Sequence, residues 1–211
     1  MVYFMLILSL AVGYVLGSAN MSMMISRLTG ADIKKKGSGN AGLTNAVRVL
    51  GPRAAVVVFV GDVLKAILAC YLGYSLTKGQ IAGAEKFIDV NYGNLGIMIA
   101  GTGCIIGHIF PVFFEFKGGK GVLTSLAVIF MMDYRIALIL LSVFLIIVLI
   151  SRYISLGSIL SAFCLPIVSM AFKKPPHFIL YAVVIALLIV IMHRKNIGRL
   201  LSGTEPKMKV R

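Results

Sequence analysis

Charge is scarce in this 211-residue chain: Asp, Glu, Lys and Arg make up only 13% of it. A soluble domain carries about 25%. With 59% hydrophobic residues, the composition argues against a soluble globular fold. Acidic residues are scarcer still, seven against 21 Lys+Arg, which leaves a formal charge of +14. The seven are scattered, so a Ser-His-acid triad finds no support. The three cysteines, Cys70, Cys104 and Cys164, lie inside apolar stretches with no two close together. Neither a disulfide framework nor a zinc site follows from that spacing. No basic residue precedes the first apolar stretch, so a cleaved signal peptide is not expected. Basic charge in excess also suits nucleic acid. Here the basic residues fall between long apolar runs, not on a polar domain, so nucleic-acid binding is not expected. What remains is an integral membrane protein whose basic loops face the cytoplasm and anionic lipid. The length allows a single domain, 1–211.

A membrane-spanning helix needs roughly 20 mostly apolar residues. Residues 2–25, 52–74, 93–114, 154–172 and 177–193 supply such runs. Two shorter ones, 121–132 and 136–150, are split by Asp133, Tyr134 and Arg135, and form either one long helix or a hairpin. Charge placement decides between them. Segments 26–53, 115–120, 151–153 and 194–211 hold 15 of the 21 Lys+Arg. Segments 75–92, 133–135 and 173–177 hold five: Lys78, Lys86, Arg135, Lys173 and Lys174. The positive-inside rule puts the basic set in the cytoplasm. All four basic segments share that side only if 121–150 crosses twice. The expected fold is therefore all-α with seven transmembrane helices, the N-terminus outside and the C-terminus cytoplasmic. The two short spans call for tilt or local bilayer thinning.

Three polar segments on the cytoplasmic side could carry chemistry. In 37–51, glycines (Gly37, Gly39, Gly42, Gly51) let the backbone approach an anion. Ser38, Asn40, Thr44 and Asn45 add neutral hydrogen-bond groups, and Arg48 adds a planar cation suited to phosphate. A flexible basic loop would explain Lys34, Lys35 and Lys36, but not this Ser/Asn/Gly density. The second segment is Gly107-His108-Ile109-Phe110-Pro111, followed by Lys117-Gly118-Gly119-Lys120-Gly121. It lacks the Ser/Thr after Lys of a nucleotide P-loop. Its glycines around Lys120 read either as a phosphate cradle or as a tight turn. In the third, His193 and Asn196 share one face if the last helix continues. A basic tail on anionic lipid is the alternative there. Asp62 and Lys65, three apart inside the second span, read as a structural intramembrane pair. Ser155 and Ser158 stand at a cytoplasmic helix start, where Ser155 reads as a cap and a phosphate or headgroup contact is the alternative.

Taken together, these segments resemble the bacterial acyl-phosphate:glycerol-3-phosphate acyltransferases, the PlsY family. The resemblance spans nearly the whole chain. It runs through Ser38-Gly39-Asn40 to Arg48 and Gly51, then Gly107-His108-x-x-Pro111 to Gly118-Gly119-Lys120-Gly121-Val122 and Thr124, then His193 to Asn196, Arg199-Leu200-Leu201 and Gly203-x-Glu205. Arg152-Tyr153-Ile154-Ser155-Leu156 is also similar to a family segment. The departures are apolar: Ala41 and Leu43 stand where Pro and Ala are common, and Leu123 where Ala is common.

The resemblance implies transfer of a fatty acyl group from acyl-phosphate to the 1-hydroxyl of sn-glycerol 3-phosphate, the first acylation of bacterial phospholipid synthesis. It implies no metal and no cofactor, the bacterial cytoplasmic membrane as location, and as partner the soluble acyltransferase that makes acyl-phosphate. Acyl-phosphate is an activated mixed anhydride, so no protein nucleophile is needed and positioning with charge stabilisation suffices. That agrees with another absence. Many glycerolipid acyltransferases carry His and Asp separated by four residues, whereas Phe113, Ala182 and Gly198 follow His108, His177 and His193 at that spacing.

The expected catalytic residues are Ser38, Arg48, Lys120, His193 and Asn196. The expected substrate binders are Gly39, Asn40, Gly42, Thr44, Asn45, His108, Gly118, Gly119, Gly121 and Ser155. The active site is expected at the cytoplasmic face. The hydroxyl proton passes to a substrate phosphate oxygen or to His193 as general base. Glu205 reads as structural, pairing a nearby Arg or capping backbone. Two other classes stay open. A transporter of a phosphorylated solute would need polar groups at mid-depth, where only Asp62 and Lys65 qualify. A lipid-binding scaffold would consume no acyl-phosphate.

Overall fold

A computed structural model describes residues 1–78 and 92–208. Lys86, counted above with the outer basic residues, lies outside the described residues. Among these there are ten α-helices, one short 3-10 turn at Val112–Phe114, and no strand. The helices are α1 (Val2–Ser18), α2 (Met21–Thr29), α3 (Leu43–Leu50), α4 (Pro52–Thr77), α5 (Tyr92–Ile109), α6 (Val122–Met132), α7 (Tyr134–Ser151), α8 (Ile154–Ala171), α9 (Pro176–Met192) and α10 (Arg194–Leu201). They fall into two compact units, Met1–Met132 and Asp133–Arg211.

Each of the seven apolar segments is helical. Five stretches are long and apolar enough to cross a membrane: Val2–Thr29, Pro52–Thr77, Asn94–Phe114, Tyr134–Ser151 and Ile154–Ala171. α9 passes that test only together with α10, across a 60° bend. α6 has 11 residues. At 1.5 Å per residue it reaches roughly 16 Å, about half of a hydrocarbon core. Large apolar side chains such as Phe4, Phe59, Leu149, Ile150 and Leu180 stand exposed, as lipid contact requires and water would not favour.

Two local expectations change. The run 2–25 is not one helix: α1 stops at Ser18, and Asn20 starts α2 by accepting from the Met23 amide at 3.1 Å. The glycine-rich segment 37–51 is not all loop either. From Leu43 onward it is α3, whose Leu43, Ala46, Val49 and Leu50 pack with Ile33, Ala55, Val58 and with Met21 and Met23 of α2. A stripe at that spacing is helical.

The first unit is built on close helix contact. Gly13 and Gly17 of α1 lie against the Ala100 and Cys104 backbone of α5, while Gly103 and Gly107 of α5 lie against the backbone of α1 around Tyr14. A Cβ at any of the four would collide with main chain. Small residues four apart on facing helices allow this approach in lipid.

In the second unit, Asp133 caps α7, accepting from the Arg135 amide at 3.0 Å. Its carboxylate also takes Arg135 Nη2 at 2.8 Å and Lys174 Nζ at 2.7 Å, tying the start of α7 to the α8–α9 turn. The Arg135 hydrogen bonds lead the causes that hold this carboxyl well below the usual carboxylate range. Asp133→Ala loses a cap and two ion pairs whose cations are partly exposed. The expected cost is about 1–2 kcal/mol, read as a lowered Tm in detergent; an unchanged Tm would contradict the staple.

Candidate functional site

In the first unit, Asn45 organises the segment before α3. It is fully buried. Its Oδ1 accepts from the Ser38 amide at 2.9 Å, and its Nδ2 donates to Ile33 O at 3.0 Å and Lys36 O at 3.1 Å. The side chain expected among the substrate binders thus has its amide engaged in shaping the loop. Gly37 and Gly39 turn the chain there with φ of 61° and 68°, a region that suits glycine. This leaves Ser38 exposed and Asn40, Gly42 and Thr44 half-buried. Arg48, in the last turn of α3, is exposed and makes no hydrogen bond or ion pair among the described residues.

The second glycine-rich segment folds back over the end of α5. The Gly118 amide donates to Ile109 O and the Gly119 amide to His108 O, each at 3.0 Å. Side chains cannot fit here: a Cβ on Gly118 would meet His108 O, and one on Gly119 would meet the His108 ring and Ala41 O. Lys120 is half-buried, and Gly121, at φ 80°, leads into α6. Lys34 Nζ reaches Gly118 O at 3.5 Å, and Ala41 O lies beside Gly119, so the two glycine-rich segments meet. Arg27 of α2, its guanidinium 4.3 Å over the Phe114 ring, braces the turn that leads from α5 into the second segment.

His108, expected among the substrate binders, has buried charged neighbours. Its Nδ1 lies 3.1 Å from Lys65 Nζ, which is 2.7 Å from Asp62 Oδ1. The Asp62–Lys65 pair expected in α4 is present, and α5 completes it as a buried cluster of three.

In the second unit, Glu205 is the hub. Its Oε1 accepts from Ser155 Oγ at 2.6 Å and Asn196 Nδ2 at 2.7 Å, and its Oε2 from Arg199 Nε at 2.7 Å. Ser155 is therefore not a helix cap; Tyr153 holds that position in α8. Ser158 bonds back to Ile154 O at 2.9 Å inside the helix. His193 sits at the bend between α9 and α10, buried, with Nδ1 2.8 Å from Ile189 O. A carbonyl only accepts, so Nδ1 carries the proton and the lone pair of the neutral ring is on Nε2. The unit thus brings together Ser155, Asn196, Arg199 and Glu205.

Burial raises the Glu205 pKa. The hydrogen bonds from Ser155, Asn196 and Arg199, with the Arg199 charge, outweigh it and leave the carboxyl below its ordinary value of 4.5. A depressed native pKa stabilises fully above the unfolded value and is lost as pH falls through the lowered one. The protection factors of the amides in 202–208, corrected for the intrinsic pH dependence of exchange, are expected to hold from neutral pH down to the ordinary carboxylate range and to fall below it. Protection lost already near neutrality would contradict the assignment.

The chain matches the family model described as glycerol-3-phosphate acyltransferase over residues 7–203. It is 43% identical over 196 residues to the glycerol-3-phosphate acyltransferase of Syntrophomonas wolfei, covering 92% of this chain and 93% of that one. It is also similar to PlsY, an integral membrane glycerol 3-phosphate acyltransferase solved in two forms. To the glycerol 3-phosphate form the TM-score is 0.82, with 35% identity and coverage of 99% and 96%. To the lysophosphatidic acid form it is 0.81, with 34% identity and coverage of 97% and 95%.

Proposed function

The chain belongs to the glycerol-3-phosphate acyltransferase family, and from that premise we propose that it transfers a fatty acyl group from acyl-phosphate to the 1-hydroxyl of sn-glycerol 3-phosphate. What supports the glycerol 3-phosphate half of this most is the agreement along the chain with a PlsY solved in a glycerol 3-phosphate form and in a lysophosphatidic acid form; the donor rests on the resemblance of the motifs.

The topology proposed with it is seven crossings in the bacterial cytoplasmic membrane, N-terminus outside, C-terminus and chemistry at the cytoplasmic side, with 1–211 acting as one catalytic domain. α6 crosses by thinning the bilayer locally. The soluble acyltransferase that makes acyl-phosphate is the proposed supplier.

Arg48, Lys120 and the backbone of Gly39, Gly118, Gly119 and Gly121 hold phosphate oxygens. Ser38, Asn40, Gly42 and Thr44 line that approach, with Asn45 setting its shape. In the second unit Ser155, His193 and Asn196 position glycerol 3-phosphate, with Glu205 orienting Ser155 and Asn196. The hydroxyl oxygen attacks the acyl carbonyl carbon and the carbon–oxygen bond to phosphate breaks. The proton passes to an oxygen of the departing phosphate. Atoms balance without an acyl-enzyme, a cofactor or a metal. The protonated Nδ1 of His193 favours a second reading, in which its Nε2 takes the proton. An acid limb in kcat that disappears in His193→Gln assigns the base to His193; a limb that persists leaves the proton with the substrate.

Purified protein in detergent or lipid mesophase, given palmitoyl-phosphate and glycerol 3-phosphate, is expected to produce lysophosphatidate and phosphate together. Palmitoyl-CoA is expected to give neither. Product from the CoA ester alone would overturn the donor assignment, and no product from folded protein would overturn the reaction.

A further inference from the structure

The buried cluster in α4 and α5 has a chemistry that a simple ion pair lacks. Lys65 is 6% exposed, Asp62 1% and His108 4%. Besides Asp62 Oδ1, the Lys65 ammonium faces Gly17 O and Ala19 O, each at 3.1 Å, and His108 Nδ1 at 3.1 Å. The two carbonyls belong to the end of α1, where helix geometry leaves acceptors without partners. The fourth neighbour decides the state of the imidazole. An ammonium has only donors, so a proton on Nδ1 would set N–H against N–H at 3.1 Å. Asp62 is too far to relieve this, at 3.8 Å from Nδ1. Nδ1 is therefore the acceptor, and the ring proton sits on Nε2. This is the tautomer opposite to that of His193.

That Nε2 edge lies against Gly119, with Ala41 O on the same side of the glycine. Ala41 O in turn accepts from Asn20 Nδ2 at 3.2 Å, and Asn20 follows directly on the Ala19 carbonyl that Lys65 holds. One buried cation therefore reaches both glycine-rich segments, one through His108 and one through the α1–α2 break.

We infer that Lys65 is a positioning residue for the phosphate-handling loop: it locks His108 as the Nε2–H tautomer and so gives the Gly118–Gly119–Lys120 segment a fixed side-chain donor beside its backbone. The ligand class for that donor is a phosphate oxygen, and Lys65 and Asp62 act on it through His108. This rests on the proposed reading of the loop as a phosphate cradle.

Two measurements test it. In the unaltered protein, 15N spectra of labelled histidine, with His108 identified by its loss in His108→Gln, are expected to show an unprotonated Nδ1 and a protonated Nε2. The reverse pattern overturns the inference and needs no folded variant of Lys65. Kinetics with palmitoyl-phosphate and glycerol 3-phosphate form the second. Lys65→Met is expected to raise KM for one of the two substrates by about tenfold or more, where a merely smaller folded fraction would lower apparent kcat alone. Combined with His108→Gln, it is expected to be no worse than the worse single variant. Unchanged KM values, or losses that multiply, would remove Lys65 from loop positioning. An inactive unaltered protein would instead count against the proposed reaction, while the tautomer result stands apart from it.

Discussion

Arg48→Ala is expected to lower kcat/KM by about 10²–10³-fold while the protein remains folded. The two halves of that expectation have separate grounds. Arg48 is exposed and has no hydrogen bond or ion pair among the described residues, so no partner is orphaned when it goes. α3 is anchored instead by its apolar side, Leu43, Ala46, Val49 and Leu50, and before it by Asn45. Losing a cation from the last helical turn costs about 0.3–1 kcal/mol at a surface, too little to unfold the unit. The activity loss follows from the proposed clamp. A planar guanidinium makes paired hydrogen bonds to phosphate, and their worth grows as charge shifts onto the leaving phosphate. Arg48→Lys keeps the charge without the fork and is expected to fall between. Initial rates with both substrates, beside a melting curve, check this. A near-normal rate for Arg48→Ala would exclude the clamp.

Gly17→Leu is expected to prevent recovery of folded protein. At this position a Cβ alone would collide with the Cys104 main chain, and the leucine adds three more carbons. Overpacking costs about 1–3 kcal/mol where side chains can give way, and here the obstacle is backbone, so the cost is larger. The same residue supplies one carbonyl to Lys65, so displacing α1 also strips the buried cation of an acceptor. Gly198, on the exposed side of α10 with nothing near its Cβ position, is the control. Gly198→Ala is expected to be tolerated. Size-exclusion profile and Tm read both variants, and a monodisperse Gly17→Leu with an unchanged Tm would contradict the packing account.

That packing was open to sequence reading. Gly13-x-x-x-Gly17 and Gly103-x-x-x-Gly107 stand in two apolar runs, and the repeat of small residues is the signal for close helix approach. The apolar segments were legible for a related reason: lipid demands length and composition, which a single chain displays. α3 was harder. It has eight residues, carries a charge and follows a glycine-rich run, so turn signals masked its spacing of apolar residues. The motif residues could be named from their types, but not their partners. Asn45 engages loop carbonyls nine and twelve residues before it, and Ser155 engages Glu205 fifty residues on. The link between Lys65 and His108 depends on the register of α4 against α5, which no local pattern encodes.

The account turns on direct transfer between two phosphate-bearing substrates with no acylated protein between them. Rapid-quench measurement of phosphate from palmitoyl-phosphate, with and without glycerol 3-phosphate, tests that most directly. Direct transfer predicts no early phosphate without the acceptor and, with it, phosphate and lysophosphatidate formed one for one. A burst of phosphate equal to the protein present, without acceptor, would contradict it and reveal an acyl-enzyme.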